Sequence, residues 1–431
     1  MSNKLISSIS ISGEITLNLH ALNNEGGEGN QIITRQVTII DKNDTQHTVN
    51  AISGDMFKHI HAGHLINTVI EQDLAICEGC KIFDPNRISL DSSFLSILKG
   101  IDPDEFEEED KKAYLEAKEI IDGDEEGNSK ETKDASKLMK DIEKKYIVLK
   151  IKDDKDKEIY IKAQEIASVR LDKKKTPNFE EAKKVQDDAK KAMKEIAKKY
   201  SLDFSNAEKI DKLIEICTID DVHGNLITAE KNNLPRKSTI EFGWIVGLPD
   251  KNNTESYVHT KLVADAGAKG SGDSGNTGQN IFHRPANHGV YAFVCNIEVY
   301  RIGFNDISRK YIDNIDRTAR YKAVIQSLLS SFLNPKGAMT STQKPHITDF
   351  KGVVAISNSS IPAPTISPIN ESYQSEIETI AKNLNEIEAN SIEIKAFDGL
   401  GKLSEIMKDL LNYFPYKLGE KMNENGEETK S

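Results

Sequence analysis

The sequence predicts an α+β fold in the order βαββαβ, the ferredoxin-like pattern. Two observations carry that prediction. Strand-type runs at 5–22, 238–248, 290–303 and 350–358 are interleaved with helical runs at 55–72 and 308–333. The 431 residues are 37% hydrophobic, which supplies a core and excludes global disorder.

Each element has a local reason. LISSISISGEITLNLHAL alternates apolar and polar residues, with Ile9, Ile11, Ile15, Leu17 and Leu19 in phase and a bend expected at Gly13. A Gly-rich loop follows at 23–30, then short β-rich runs at 31–40 and 46–50 around the turn DKND. Ser53 reads as a helix N-cap, and Met56, Ile60, Leu65 and Val69 recur at helical spacing after it. STIEFGWIVGL, VYAFVCNIEVYRIG and FKGVVAISN read as strands, and Asn334-Pro335 ends the second helix. IPAPTISPI leads to a last helix at 372–392, and NENGEETKS reads as a disordered tail.

Two excursions interrupt the pattern. Residues 102–215 are rich in Lys, Glu and Asp; EEAKKVQDDAKKAMKEIAKKY reads as an amphipathic helix with Val185, Ala189, Met193 and Ile196 on one face. YIVLKIKDDKDKEIYIKA reads as a hairpin turning at DDKD. Residues 249–289 lack apolar periodicity and are rich in Gly, Asn and Ser, a long polar segment of the functional or disordered kind. The chain thus divides into a sheet body at 1–100 and 216–370, a charged helical insertion at 101–215, and C-terminal helices with an acidic tail at 371–431.

Composition narrows function. No run of about 18 apolar residues is present, so no membrane span is expected, and MSNKLISSIS lacks the apolar core of a secretory signal. With four cysteines, a reducing cytoplasmic setting is expected. The formal net charge is −12, but it is uneven: −5 lies in 102–215 and −6 in 371–431, leaving −1 for the rest. The body is therefore free to carry local basic patches.

Three motifs invite chemistry. NNEGGEGN with Arg35 lets backbone N–H groups approach an anion, but it is neither a Walker loop nor a dinucleotide fingerprint, and on spacing alone a plain flexible hairpin loop is the better reading. AISGDMFKHIHAGHL sets Ser53 and Gly54 at a helix N-terminus with Lys58, His61 and His64 along the helix, a pattern that suits a phosphate or a solvated face. Cys77 and Cys80 form half a zinc site, which Cys217, Asp220 or His223 would complete; free thiols are the simpler reading, and no cofactor is expected. No nucleophile elbow, triad or paired-carboxylate motif stands out.

LNNEGGEGN with Arg35, NAISGDMFKH, DVHGNLI, FGWIVGL, QNIFHRP before GVYAF, and NPKGAMTSTQKPH occur in an order that resembles the DevR family, the type I-B CRISPR-associated "Cas seven" backbone subunits. The resemblance spans about 5–100 and 215–370 and matches the insertion and tail in position only. It implies a modified RNA-recognition-type palm with a helical finger insertion and a projecting thumb. It implies a non-catalytic protein whose copies polymerise along a CRISPR guide RNA, with other subunits, into the cytoplasmic Cascade complex. The guide is presented for pairing with target DNA. Carried onto this chain, guide contacts fall at Asn23, Asn24 and Arg35; at Ser53, Gly54, Lys58 and His59; at Lys269, Gln279, His283 and Arg284 of a thumb near 249–289; and at Lys336, Thr340, Gln343 and Lys344. The aromatic signature of RNA-recognition strands is absent.

Two departures accompany the resemblance. Relatives can carry a second cysteine where this chain has Asp220, which would alter or abolish a zinc site. His59 stands where many relatives place a permanent charge. Two other functions stay open on sequence: RNA cleavage of the type III kind with Asp55 as its acidic residue, and an independent regulatory or structural role.

Overall fold

Strand β1 (Ser8–His20) is buried along nearly its whole length, serines 8, 10 and 12 included, because it runs through the middle of a sheet covered on both faces. The computed structural model describes residues 4–28, 31–122, 129–173, 176–200, 204–262, 279–336, 340–419, 421–422 and 428–429. Strands β2 (Gln36–Ile40), β3 (Gln46–Ile52), β4 (Ile245–Leu262), β5 (Gln279–Ile297), β6 (His346–Ser357) and β7 (Ile392–Asp398) complete a path ordered β7-β6-β1-β5-β4-β3-β2, antiparallel throughout. Three short strands, Asn24–Glu28, Gln31–Thr34 and Ile240–Phe242, bring that sheet to ten strands among the described residues. The chain is thus α+β, as its sequence predicts.

Gly13 does not bend β1. It stays in register with Phe293 on one side and Gly352 on the other. A Cβ at Gly13 would lie 2.8 Å from the Lys351 carbonyl, and one at Gly352 would lie 2.2 Å from the Ser12 carbonyl. The two glycines let the strands approach closely; they are not a hinge.

Helix α1 (Gly54–Glu71) covers one face of the sheet. The inserted helices follow: α2 (Glu108–Asp122), α3 (Lys130–Lys150), α4 (Asp154–Ser168), α5 (Phe179–Lys199) and the returning α6 (Asn206–Ile216) and α7 (Thr218–His223). Then come α8 (Arg317–Leu333), α9 (Tyr373–Ile387) and α10 (Leu400–Leu410). An aromatic chain joins the layers: Phe57 of α1, Phe293 of β5, Phe332 of α8, Phe350 of β6 and Phe397 of β7 touch in succession at centroid distances of 4.9–5.4 Å. Edge-on and tilted rings of this kind add about 0.5–1.5 kcal/mol per pair beyond area burial. On the other face, α9 packs Tyr373 and Ile377 on Val353 and Ala355.

Several sequence readings change. The hairpin expected in YIVLKIKDDKDKEIYIKA is helical: α3 runs to Lys150, and Asp153 N-caps α4 by accepting the Lys155 and Asp156 N–H groups at 3.0 Å. Tyr146 and Tyr160 are buried from neighbouring helices, so packing outweighs the β-propensity of Ile147 and Val148. The helix expected from 308 begins at Arg317, capped by Asp316, after a small hairpin of Phe304–Asn305 and Lys310–Tyr311. The helix expected to 392 ends at Ile387, and 392–398 adds the edge strand β7. The strand read at 238–248 is split, and its second part continues to Leu262. The aperiodic stretch 249–289 supplies the arms of a long ribbon, paired from Asn252↔Gly289 to Leu262↔Gln279. Such a ribbon projects with both faces open to solvent, so neither face needs to be apolar and the alternation is lost. Residues 263–278, Lys269 among them, and most of the 423–431 tail lie outside the described residues.

The insertion returns to the body at Asp221, which is fully buried between two guanidiniums. Arg236 Nη2 lies 2.7 Å from Oδ1 and Arg320 Nη1 lies 2.9 Å from Oδ2, and the Gly303 N–H adds a 3.0 Å bond. Asp221→Ala leaves the buried Arg320 without a carboxylate and Arg236 with Asp306 alone, and is expected to cost about 3–5 kcal/mol. Urea titration of the variant checks this; a midpoint unchanged from wild type would refute it.

Candidate nucleic-acid interface

At the root of the ribbon the described asparagines form a buried network. Asn287 Nδ2 donates to Asn23 Oδ1 at 2.5 Å and to the His20 carbonyl at 3.2 Å. Thr254 Oγ1 bridges Asn287 and Asn50 at 2.6 and 3.1 Å, and Asn252 accepts the Asn50 N–H at 3.0 Å. Asn23, assigned to guide contact from sequence, is therefore spent internally; the Arg35 N–H also donates to its carbonyl at 2.8 Å. Asn287 was missed, since nothing in the sequence marks a buried asparagine.

Beyond Asn287 strand β1 stops pairing, and the β5 segment 283–286 has an open edge. Two loops distant in sequence fill it. Gln31 bridges His283, ending the small hairpin that carries Asn24. From the other side Gln343 Nε2 donates to the Pro285 carbonyl at 3.0 Å, and Arg284 Nη1 donates to Thr342 at 3.3 Å. Arg284 and Gln343 meet here, with Thr340 and Lys344 on the loop of Gln343, and Asn24 belongs to the hairpin whose Gln31 end borders the same edge. Polar atoms of three of these residues remain buried without a partner among the described residues: both amide atoms of Asn24, Nε of Arg284 and Oε1 of Gln343. Unpaired buried polar atoms cost about 1–3 kcal/mol each, so their presence on three segments that border one strand edge calls for a cause.

The ribbon above has one aromatic and cationic face. Cross-strand pairs Tyr257↔Arg284 and His259↔Phe282 lie on the same side. The Phe282 ring stacks on His259 at 5.9 Å and carries the Arg284 guanidinium at 4.9 Å. His283 is exposed on the opposite side, opposite Val258. Gln279 is placed as the first residue of β5. Tyr257, His259 and Phe282 were missed, because in a solvated ribbon the face-sharing residues are split between two sequence-distant arms. Nearby, Arg35 sits over the half-exposed ring of Trp244 at 5.4 Å.

The α1 terminus divides differently from expectation. Ser53 Oγ accepts the Met56 N–H at 3.2 Å, an ordinary cap, and a Cβ on Gly54 would lie 2.4 Å from the Phe242 carbonyl. Both residues serve the fold. Lys58 is half-buried; desolvation, with Arg87 nearby, lowers its pKa from the ordinary lysine value. Asp55 is exposed in the first turn, where it complements the helix dipole. The His59 ring lies tilted against Phe83 at 4.8 Å and, with His64, Lys81 and Lys336, His59 lines a cleft of about 370 Å³. Lys336 and His59 are thus brought together, away from the ribbon loops.

A separate buried group consists of Cys77, Cys80, Cys217 and Asp220. His223 does not join it: its Nε2 lies 2.8 Å from Nδ1 of His61. Nor is there, among the described residues, a helix long and apolar enough to cross a membrane.

The arrangement is that of an α+β protein with a strand-edge surface for a polar, stackable ligand. The profile of the family described as CRISPR-associated negative auto-regulator DevR/Csa2 matches residues 11–126 and 125–378, and the chain belongs to that family. No curated protein matches it in sequence. Among solved structures it is similar to a chain of a "CRISPR RNA-guided surveillance complex, pre-nicking", with TM-score 0.42 and 11% identity over 94% of this chain and 99% of that one. It is also similar to a chain of a "CRISPR RNA-guided surveillance complex", with TM-score 0.29 and 11% identity over 48% and 81%. A third is Thermofilum pendens Csc2, with TM-score 0.28 and 11% identity over 94% and 85%.

His20 gives the interface root a pH dependence. Its Nδ1 accepts the Leu22 N–H at 3.3 Å and its Nε2 lies 2.9 Å from the Tyr291 hydroxyl. Burial, then the charge of His288, lowers its pKa from 6.5 to about 3. The folded pKa lies below the unfolded one, so the unfolded chain takes up the proton first. Stability is therefore expected to fall as pH drops below about 6.5 towards about 3. A His20→Phe variant should show a shallower acid slope, by up to one proton; thermal melts across that window check it, and an unchanged slope would refute the assignment.

Proposed function

We propose that this chain is a non-catalytic guide-RNA-binding backbone subunit of a type I-B Cascade complex, whose copies polymerise along the guide and present it to target DNA. The observation that carries the reading is the convergence of three segments on the β5 edge, Arg284 itself, the loop of Gln343 and the hairpin that carries Asn24, each of these residues with buried polar atoms unpaired among the described residues. Family membership supplies the CRISPR context. The element order β1-α1-β4-β5-α8-β6, with strands ordered β6-β1-β5-β4, supports reading the body as an RNA-recognition-type palm, the insertion as its finger and the ribbon as its thumb.

On this reading each group has one task. Arg284, Lys344, Lys58 and Lys336 meet phosphates, and Asn24 and Gln343 bind sugar or phosphate oxygens. Tyr257, His259 and Phe282 offer a stacking face that accepts any base. None of these contacts reads sequence, as a subunit serving many guides requires. The acidity of the insertion and tail stays on surfaces the RNA does not touch.

Nucleic acid extracted from the native particle is expected to be a small RNA of uniform length; particles that assemble without RNA would overturn the proposal. Affinity for RNA should fall linearly in log–log form with salt, and Lys344→Ala should reduce the slope by about 0.7 if it removes one phosphate contact. Lys58→Ala should weaken unrelated guides about equally, whereas a changed sequence preference would contradict a phosphate role. Removal of 265–278 should leave the sheet folded, because the register from β1 to β4 lies outside it, yet impair regular assembly. Filaments of normal length and RNA protection at normal spacing would remove the ribbon from the assembly mechanism.

A further inference from the structure

The cysteine group lies far from the ribbon and takes no part in the guide-binding reading. Cys77 caps and Cys80 belongs to the short helix Glu78–Lys81; Cys217 caps α7, and Asp220 lies in its first turn. All four are at most 1% exposed. Three Sγ atoms and one carboxylate oxygen lie within 4.8 Å of one another. Asp220 Oδ2 is 3.5 Å from Cys77 Sγ and 3.6 Å from Cys80 Sγ. A tetrahedral zinc with bonds of about 2.3 Å to sulfur and about 2.0 Å to oxygen sets an S···O edge of about 3.5 Å. The two observed edges match it.

The surroundings also fit a metal. Asp220 Oδ1 accepts the Asn225 amide at 2.7 Å, which leaves Oδ2 turned to the sulfurs. The Asp220 N–H points at Cys217 Sγ at 3.4 Å, a contact that stabilises a thiolate. Arg87 acts electrostatically on the Asp220 carboxylate, offsetting part of the negative charge that three thiolates and a carboxylate leave around a divalent ion. The loop is closely built: a Cβ on Gly79 would lie 2.1 Å from the Arg87 carbonyl. The thiols give Oδ2 of this buried carboxyl only weak hydrogen-bond donors to offset its desolvation, whereas a metal ion offsets it directly.

We propose that Cys77, Cys80, Cys217 and Asp220 bind one structural zinc ion. Sequence suggested that an aspartate in place of a fourth cysteine would spoil such a site; the geometry makes Asp220 the fourth ligand. All four positions are protein ligands and closed to solvent, so the ion is structural rather than catalytic. It joins residues 140 and 143 positions apart. One side follows α1, and the other is where the insertion re-enters the body, beside the bond from the Thr218 N–H to the Ala75 carbonyl at 2.8 Å. The ion therefore clamps the base of the insertion to the sheet body.

The test is metal analysis of the full-length chain purified from zinc-supplied cells without chelator. One zinc per chain is expected, with Cys77, Cys80 and Cys217 unreactive to a thiol reagent until the metal is removed. Asp220→Cys should keep the full zinc content, and Asn225→Ala should release zinc to a chromogenic chelator with about 10–100-fold weaker retention. Cobalt exchanged into the wild-type chain should give the visible spectrum of a tetrahedral thiolate site, a readout that needs no variant to fold. A folded chain without zinc, whose melting neither chelator nor added zinc moves, would overturn the site. So would full zinc content in Cys217→Ala, or iron in place of zinc. None of these outcomes bears on RNA binding, so this inference and the guide-binding reading fail separately.

Discussion

The buried carboxylate of Asp221 is the constraint around which the body is arranged. Arg236 spends its guanidinium entirely there, donating to Asp221, to Asp306 and to the carbonyls of Phe304 and Arg301 at 2.7–2.9 Å. Arg320 brings α8 to the same carboxylate and to the Ile214 carbonyl of α6. Removing charges from water is costly, and the cost is offset only where each donor and lone pair is used. That requirement fixes the end of the insertion, the segment before β4, the turn after β5 and the start of α8 relative to one another. The aromatic chain from Phe57 to Phe397 then packs on a frame whose geometry is already set.

Much of this was legible in the sequence where burial leaves a periodic trace. Strand β1 and helix α1 were read from Ile9, Ile11 and Ile15 and from Met56, Ile60 and Leu65, because one face of each must be apolar. The ribbon could not be read the same way: Tyr257 and Phe282 share its face with Arg284 and His259, and solvent on both sides removes the alternation. The α3–α4 junction was misread because Asp153 looks like a turn residue in either a hairpin or a helix cap, and only the burial of Tyr146 and Tyr160 decides between them.

The residues singled out from sequence as candidate contacts divide in the structure into paired and unpaired groups. The Gln31 hairpin and the Gln343 loop border the β5 edge, while Asn23 belongs to an amide network, Ser53 to a cap and Gly54 to a close backbone contact. Polar and small residues serve both purposes, and a linear sequence does not show which of their atoms are already paired. What separates the two classes is satisfaction. Asn23 and Ser53 have their partners, whereas Asn24, Arg284 and Gln343 keep buried atoms that are unpaired among the described residues.

Two devices at the base of the insertion have different physical characters, and the difference bears on how the chain assembles. The Asp221 pairs hold through charge at a dry site, largely beyond the reach of salt screening. The cysteine group, one residue away in sequence at Asp220, lies on the α1 side of the same helix turn. Together they grip α7 from both directions, so the inserted helices are anchored while their outer surfaces stay highly charged and solvated. The contacts proposed for a guide at the β5 edge are of the opposite kind: partly open, and therefore expected to be salt-sensitive. A chain built this way holds its own shape independently of ionic strength, and on the proposed reading only its grip on the guide would respond to salt. Such a division would suit a protein that must stay folded before, during and after it joins an RNA.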